Sequence, residues 1–142
     1  MNSKLISESP KTHVLIFDTN DEVISTLTDF AGVQHLAGSH FSAIGAFRDV
    51  ILGYFDWQKK DYNKIFIHDQ VEVVSLLGDI ALGDDGPKIH AHVVVSKADG
   101  TAHGGHLLEA HVRPTLELVL IESPRHLQRR YDPQSRLALI RL

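Results

Sequence analysis

Apolar and polar residues alternate with period two along most of the chain and fall into a helical period only once. Thr12-His-Val-Leu-Ile-Phe-Asp18 alternates and is rich in β-branched and aromatic residues, which predicts a first strand. A helix follows: Asn20 suits the N-cap, Asp21 and Glu22 suit the first turn, and Val23, Leu27, Phe30 and Ala31 share one face before Gly32 stops it. From Ser39 onward strand follows strand, over residues 39–47, 50–57, 63–67, 70–82, 88–96, 101–108, 113–121 and 137–142. The links between them are short and turn-like, as in Gly83-Asp-Asp-Gly-Pro87 and Tyr131-Asp-Pro133.

Short links favour antiparallel pairing, and parallel crossovers lack the helices they need. The expected fold class is therefore α+β: a large, curved, mostly antiparallel β-sheet packed around one main α-helix, in a single domain over residues 11–142. Residues 1–10 are polar and read as a flexible N-terminus. Val71, Val73, Val74, Leu76, Leu77, Ile80 and Leu82 are too apolar for a strand with one side in water, and Leu116, Leu118, Val119, Leu120 and Ile121 repeat the pattern. Such strands are central or are covered by another subunit, so the chain is expected to oligomerise.

The segment 87–108 carries the candidate chemistry. Ile89, Ala91, Val93 and Val95 alternate with His90, His92 and Val94, so the two histidines share a face. A three-residue turn at Ala98-Asp99-Gly100, with Gly100 left-handed, pairs Lys97 with Thr101 and sets His92 opposite His106 and diagonal to His90. A two-residue Asp-Gly turn would shift that register by one. Three neutral imidazoles suit zinc or another late first-row ion and leave a coordination position open to water or a small ligand. The opposing reading is a merely solvated polar strand face. Gly104-Gly105, beside His106, marks a bulge or a close backbone approach. His103 is expected on the opposite, apolar face.

Composition narrows the alternatives. The 142 residues contain no cysteine, which removes thiolate sites and disulfides and suits a reducing, cytoplasmic setting. No run approaches a membrane span or a secretory leader. Residues 1–120 hold nine Lys/Arg against sixteen Asp/Glu, whereas residues 121–142 hold five arginines against Glu122 and Asp132. The acidic body and a pI near 6.2 argue against a phosphate-binding surface, with Arg125, His126, Arg129 and Arg130 as a local exception. His111 and Glu109 are placed near the site, and Glu109 is the candidate general base if a zinc-bound water is used. His13, His35, His40, His68 and His126 are scattered.

The blocks Gly38-Ser-His-Phe-Ser-Ala-Ile-Gly-Ala-Phe47, Leu52-Gly-Tyr-Phe55, Val71-Glu-Val-Val-Ser-Leu-Leu-Gly-Asp-Ile80, His90-Ala-His92 and Gly104-Gly-His-Leu107, in this order, resemble the PPC domain family, the plants-and-prokaryotes-conserved domain. Tyr131-Asp-Pro-Gln-Ser-Arg-Leu137 is similar to the tail of its prokaryotic form. The resemblance implies a single antiparallel sheet around a helix, a homotrimer, and a divalent metal, zinc by family habit, on His90, His92 and His106. Plant members join the domain to AT-hooks that enter the minor groove, but this chain has no Arg-Gly-Arg-Pro core. The favoured reading is a trimeric metal-binding protein of uncharacterised role with a site open to a small ligand. The alternatives are a DNA-binding or transcription-associated protein and a zinc-dependent hydrolase or lyase.

Overall fold

The computed structural model describes residues 1–123 and 125–141. Its elements are β1 (Asn2–Glu8), β2 (Lys11–Phe17), α1 (Val23–Val33), β3 (Gly38–Asp56), β4 (Asp61–Ile67), β5 (Val71–Gly83), β6 (Gly86–Ser96), β7 (Ala102–Glu122), β8 (Gln128–Asp132) and β9 (Leu137–Arg141). All strands join one sheet in the order β1-β2-β7-β3-β5-β8-β9, with β4 paired to β3 and β6 paired to both β5 and β7. The pairings are antiparallel except for one parallel contact, Leu82 with Gln128. The mostly antiparallel sheet with one helix follows the expectation.

Curvature comes from two long strands that change partners. The first half of β3 pairs with β5 and with the second half of β7, whereas its second half pairs with β4 and with the first half of β7. Since β6 joins β5 to the start of β7, strands β3, β5, β6 and β7 close a circuit around the core. The breaks expected at residues 48–49 and 109–112 are bulges instead, with register shifts at Gly45/Phe47, Phe47/Asp49 and Ile51/Leu52 that bend the sheet without ending it. At Gly45, φ +152, a side chain would run into the Thr115 carbonyl and lie 2.8 Å from the Leu116 Cα. The strand expected over residues 137–142 appears as β9, and Leu142 lies outside the described residues. Two strands had no counterpart in the sequence reading. One is β8, and the other is β1, which pairs with β2 over residues read as a flexible N-terminus.

Helix α1 buries Val23, Leu27, Phe30 and Ala31, the four residues its period selects. Its ends differ from the expectation. Asn20 has φ +74 and lies outside the helix; Glu22 is the N-cap, accepting from the Ile24 and Ser25 amides at 3.1 and 2.7 Å and also from the Ala110 amide at 3.3 Å. A longer carboxylate thus caps the helix and ties it to β7 at once. Gly32 does not stop it either. His35 turns left-handed (φ +54), while the His35 and Leu36 amides donate back to Gly32 and Ala31, and Leu36 buries against the core.

The helix packs on β6 and β7, over a core that includes Leu15, Phe17, Phe47, Leu52, Leu76, Leu116 and Leu118. Burying each such side chain contributes about 1.5–3 kcal/mol. The two-sided apolar strands resolve cleanly: Val71, Val73, Leu76 and Ile80 point inward, whereas Val74 and Leu77 are more than half exposed on the outer face. Among the described residues no helix is long and apolar enough to cross a membrane.

Candidate metal centre

The turn fixes the site. The Lys97 amide donates to the Thr101 carbonyl and the Gly100 amide to the Lys97 carbonyl, both at 2.9 Å, with Gly100 at φ +81. This is the three-residue turn, and the ladder beyond it pairs Ser96 with Ala102, Val95 with His103, Val94 with Gly104, Val93 with Gly105 and His92 with His106. His90 stands two residues before His92 on the same face. The three imidazole centroids are 5.1, 5.2 and 5.4 Å apart. His103 shares the face of the buried Val95, as its parity requires.

His106 is the point where β7 changes partner, facing His92 of β6 on one side and Gly53 of β3 on the other. A side chain at Gly53 would lie 2.7 Å from the Tyr62 ring, so the bare backbone leaves space for that ring. Tyr62, on β4, stacks on His106 at 4.6 Å, its hydroxyl 3.5 Å from Nδ1. Gly105 serves the same close packing, since a Cβ there would lie 2.9 Å from the Gly53 carbonyl oxygen.

Asp79 on β5 is directly opposite His90, with Oδ2 3.5 Å from its Nδ1. The other carboxylate oxygen accepts from Arg129 at 2.5 Å, and Arg129 also donates to the Ala138 carbonyl at 3.0 Å. Burial pushes the Asp79 carboxyl up, but hydrogen bonds from His90 and Arg129 outweigh it and hold it below the usual carboxylate range. Burial, aided by His90, His92 and Arg129, lowers His106 to about 4; burial and His90 lower His92 as well. Both imidazoles are therefore neutral at pH 7, the form that ligates.

The donor set fits a late first-row ion. One ligating nitrogen from each histidine lies within 4.8 Å of the other two. Tetrahedral coordination at 2.0–2.1 Å needs about 3.3 Å between nitrogens, a closure that modest side-chain rotation supplies. Asp79 and Tyr62 lie against the Nδ1 atoms of His90 and His106, leaving Nε2 of each for an ion.

The other expectations divide. Glu109 pairs with Ile51, is exposed, and lies outside the histidine cluster. His111 is not beside the site: its Nδ1 is 2.7 Å from Asp49 Oδ1, and Asp49 also binds Arg48. Arg129 leaves the basic tail cluster, because its side chain is 8% exposed and held by Asp79, while Arg125, His126 and Arg130 are exposed. Asp79, Tyr62 and Arg129 were missed as site residues. Only Asp79 carried a signal, as the lone charge in the apolar second half of β5.

A profile of the Plants and Prokaryotes Conserved (PCC) domain matches residues 6–124. The chain is similar to the structure of a plant- and prokaryote-conserved (PPC) protein from Pyrococcus horikoshii, with 27% identity and TM-score 0.87 over 99% of this chain and 95% of the other. A metal-containing protein from Archaeoglobus fulgidus is 30% identical, TM-score 0.86, over 99% and 97% of the two chains. A protein from Ralstonia eutropha, named for a proposed DNA-binding role, is 27% identical, TM-score 0.86, over 92% and 90%. No curated protein sequence matches it. With that profile spanning most of its length and the fold shared end to end, the chain belongs to the Plants and Prokaryotes Conserved domain family.

Proposed function

We propose that this is a homotrimeric metal-binding protein whose His90, His92 and His106 hold a divalent ion, zinc by ligand type, with one coordination position left for a small ligand. The observation that carries the reading is the convergence of three imidazoles on one strand face, with ligating nitrogens within 4.8 Å of one another. An all-nitrogen donor set without sulfur suits zinc and its neighbours. A bound ion of this kind supplies Lewis acidity or a binding position for an anion. The similar Archaeoglobus fulgidus protein, described as metal-containing, supports the same reading.

Assembly is the second part. Ile16, Ile44, Val74, Leu77 and Val119 are exposed around a pocket on the outer face, also lined by Val14, Ser42 and Ala43. The cross-strand row Val14, Val119, Ser42, Leu77, His92, His106 carries that face up to the histidines. Contiguous exposed apolar surface of this kind fits an obligate interface. Absence of cysteine suits a reducing compartment, and a cytoplasmic location belongs to this reading. The DNA-associated reading rests on the name of the Ralstonia eutropha relative. The hydrolase or lyase reading lacks a free carboxylate at the site among the described residues, since Asp79 is engaged by Arg129 and His90.

Calorimetric zinc titration of the wild type and of His90→Ala, His92→Ala, His106→Ala and His103→Ala tests the metal. The first three variants lose most of the affinity because two imidazoles do not enforce the site, and His103→Ala keeps it. Equal binding by wild type and His106→Ala would leave the histidines as a polar strand face.

A further inference from the structure

The histidine cluster opens on one side into a pocket of about 290 Å³. Its walls are Tyr62, His90, His106, Arg129 and Lys88, and the apolar residues Ile89 with Leu137, Ala138 and Leu139 of β9. The volume lies at the small end of ligand pockets, room for a short organic molecule.

Three features bear on what enters it. Arg129 is 8% exposed, yet among the described residues its five N–H donors meet only Asp79 and the Ala138 carbonyl, and its Nε is buried with no acceptor. The N–H donors of its two terminal nitrogens that Asp79 and Ala138 do not use can give an incoming anion a charge-assisted hydrogen bond. The charges do not balance either. Asp79 is the carboxylate at the cluster, already shared between His90 and Arg129, so a divalent ion on three neutral imidazoles would leave the pocket positive. Finally, Ile89, Leu137, Ala138 and Leu139 make part of the wall aliphatic, which gives a bare inorganic oxyanion nothing to bury.

We propose that this pocket binds a small organic carboxylate: the carboxylate between Arg129 and the histidine cluster, and a short apolar body against Ile89, Leu137 and Leu139. The inference rests on the metal reading for its charge balance, and names the ligand class of that site. Arg129 acts as the anion clamp, and its pairing with Asp79 holds the guanidinium plane in place.

Cobalt(II), loaded in place of zinc, reports ligands at the site through its visible spectrum. The loaded protein is titrated with sodium butyrate, butyramide and inorganic phosphate, and Arg129→Met is titrated alongside. Butyrate is expected to change the spectrum saturably, butyramide not at all, and phosphate to bind roughly tenfold more weakly or worse, since it leaves the aliphatic wall unfilled. Arg129→Met should take up cobalt yet bind butyrate at least about tenfold more weakly. An equal response to butyramide, equal affinity for phosphate, or unchanged butyrate binding by Arg129→Met would each overturn the proposal. The butyramide comparison needs no variant and stands even if Arg129→Met does not fold. If the wild type takes up no cobalt, the metal reading fails by itself; butyrate binding is then read by calorimetry on the same sample, and absence of heat overturns the carboxylate pocket as well.

Discussion

Asp79 Oδ2 lies 3.5 Å from His90 Nδ1 because the two residues are directly opposed in the β5–β6 ladder, where Leu77 likewise opposes His92. The carboxylate orients the ring and raises its basicity as a ligand. Asp79→Asn keeps the shape and removes the charge, so zinc affinity should fall about 10–100-fold, less than on removal of His90 itself. Calorimetry on the two variants checks the order. Asp79→Asn binding zinc as tightly as the wild type would reduce Asp79 to an anchor for Arg129.

The same carboxylate bears on nucleic acid. With Arg129 drawn inward and Arg141 paired to Asp132, the tail offers Arg125, Arg130 and Arg136 as exposed cations beside a body that is net acidic. So few phosphate contacts give little affinity once counterions compete. No appreciable duplex binding is expected at about 150 mM salt, and weak low-salt binding should vanish in the Arg125→Ala, Arg130→Ala, Arg136→Ala triple variant. A mobility-shift titration at both salt levels is the measurement. Tight binding by that triple variant would restore the DNA-associated reading.

The histidine face was legible in the sequence because both of its determinants are local: Gly100 sets the turn, and period two sets the side. Leu27 and Phe30 were legible for the same reason, as one turn of helix needs no tertiary information. Tyr62, Asp79 and Arg129 arrive from β4, β5 and β8, and their meeting depends on closure of the circuit through β3 and β7, which no window of sequence contains. The expected strand breaks failed for a related reason. Polar residues such as Arg48 and Asp49 mark a bulge on a curved strand as readily as its end, and here Asp49 binds His111 across the ladder.

His13 gives a pH signature. It is 3% exposed, its ring stands edge-on to Phe30 at 5.3 Å, and Nε2 has no partner among the described residues. Burial, with Lys11 adding, lowers its pKa against the opposing pull of Glu122 and Glu8. The unfolded chain therefore takes up this proton first as pH falls. The contribution of His13 to stability is complete above the unfolded value of about 6.5 and is lost as pH drops from there toward the folded value. Each proton taken up on unfolding costs about 1.4 kcal/mol per pH unit in that window. Urea unfolding of metal-free wild type and His13→Leu between pH 7.5 and 5 should show a shallower loss in the variant; parallel curves would mean that His13 takes up its proton as readily in the fold as in the unfolded chain.

Leu77 tests assembly without touching the core. It is 59% exposed in the isolated chain, so Leu77→Asp should leave the monomer folded, whereas in a covered interface the same change buries an unpaired charge. The wild type is expected to scatter light as three times 15.8 kDa even when dilute, and Leu77→Asp to dissociate while keeping its circular dichroism. Because Leu77 stands opposite His92 in the ladder, loss of the interface also exposes one flank of the histidine cluster to water. Zinc affinity should then fall in step with dissociation. A variant that dissociates but binds zinc normally would separate metal from assembly, and a wild type that is monomeric at low micromolar concentration would remove the interface altogether.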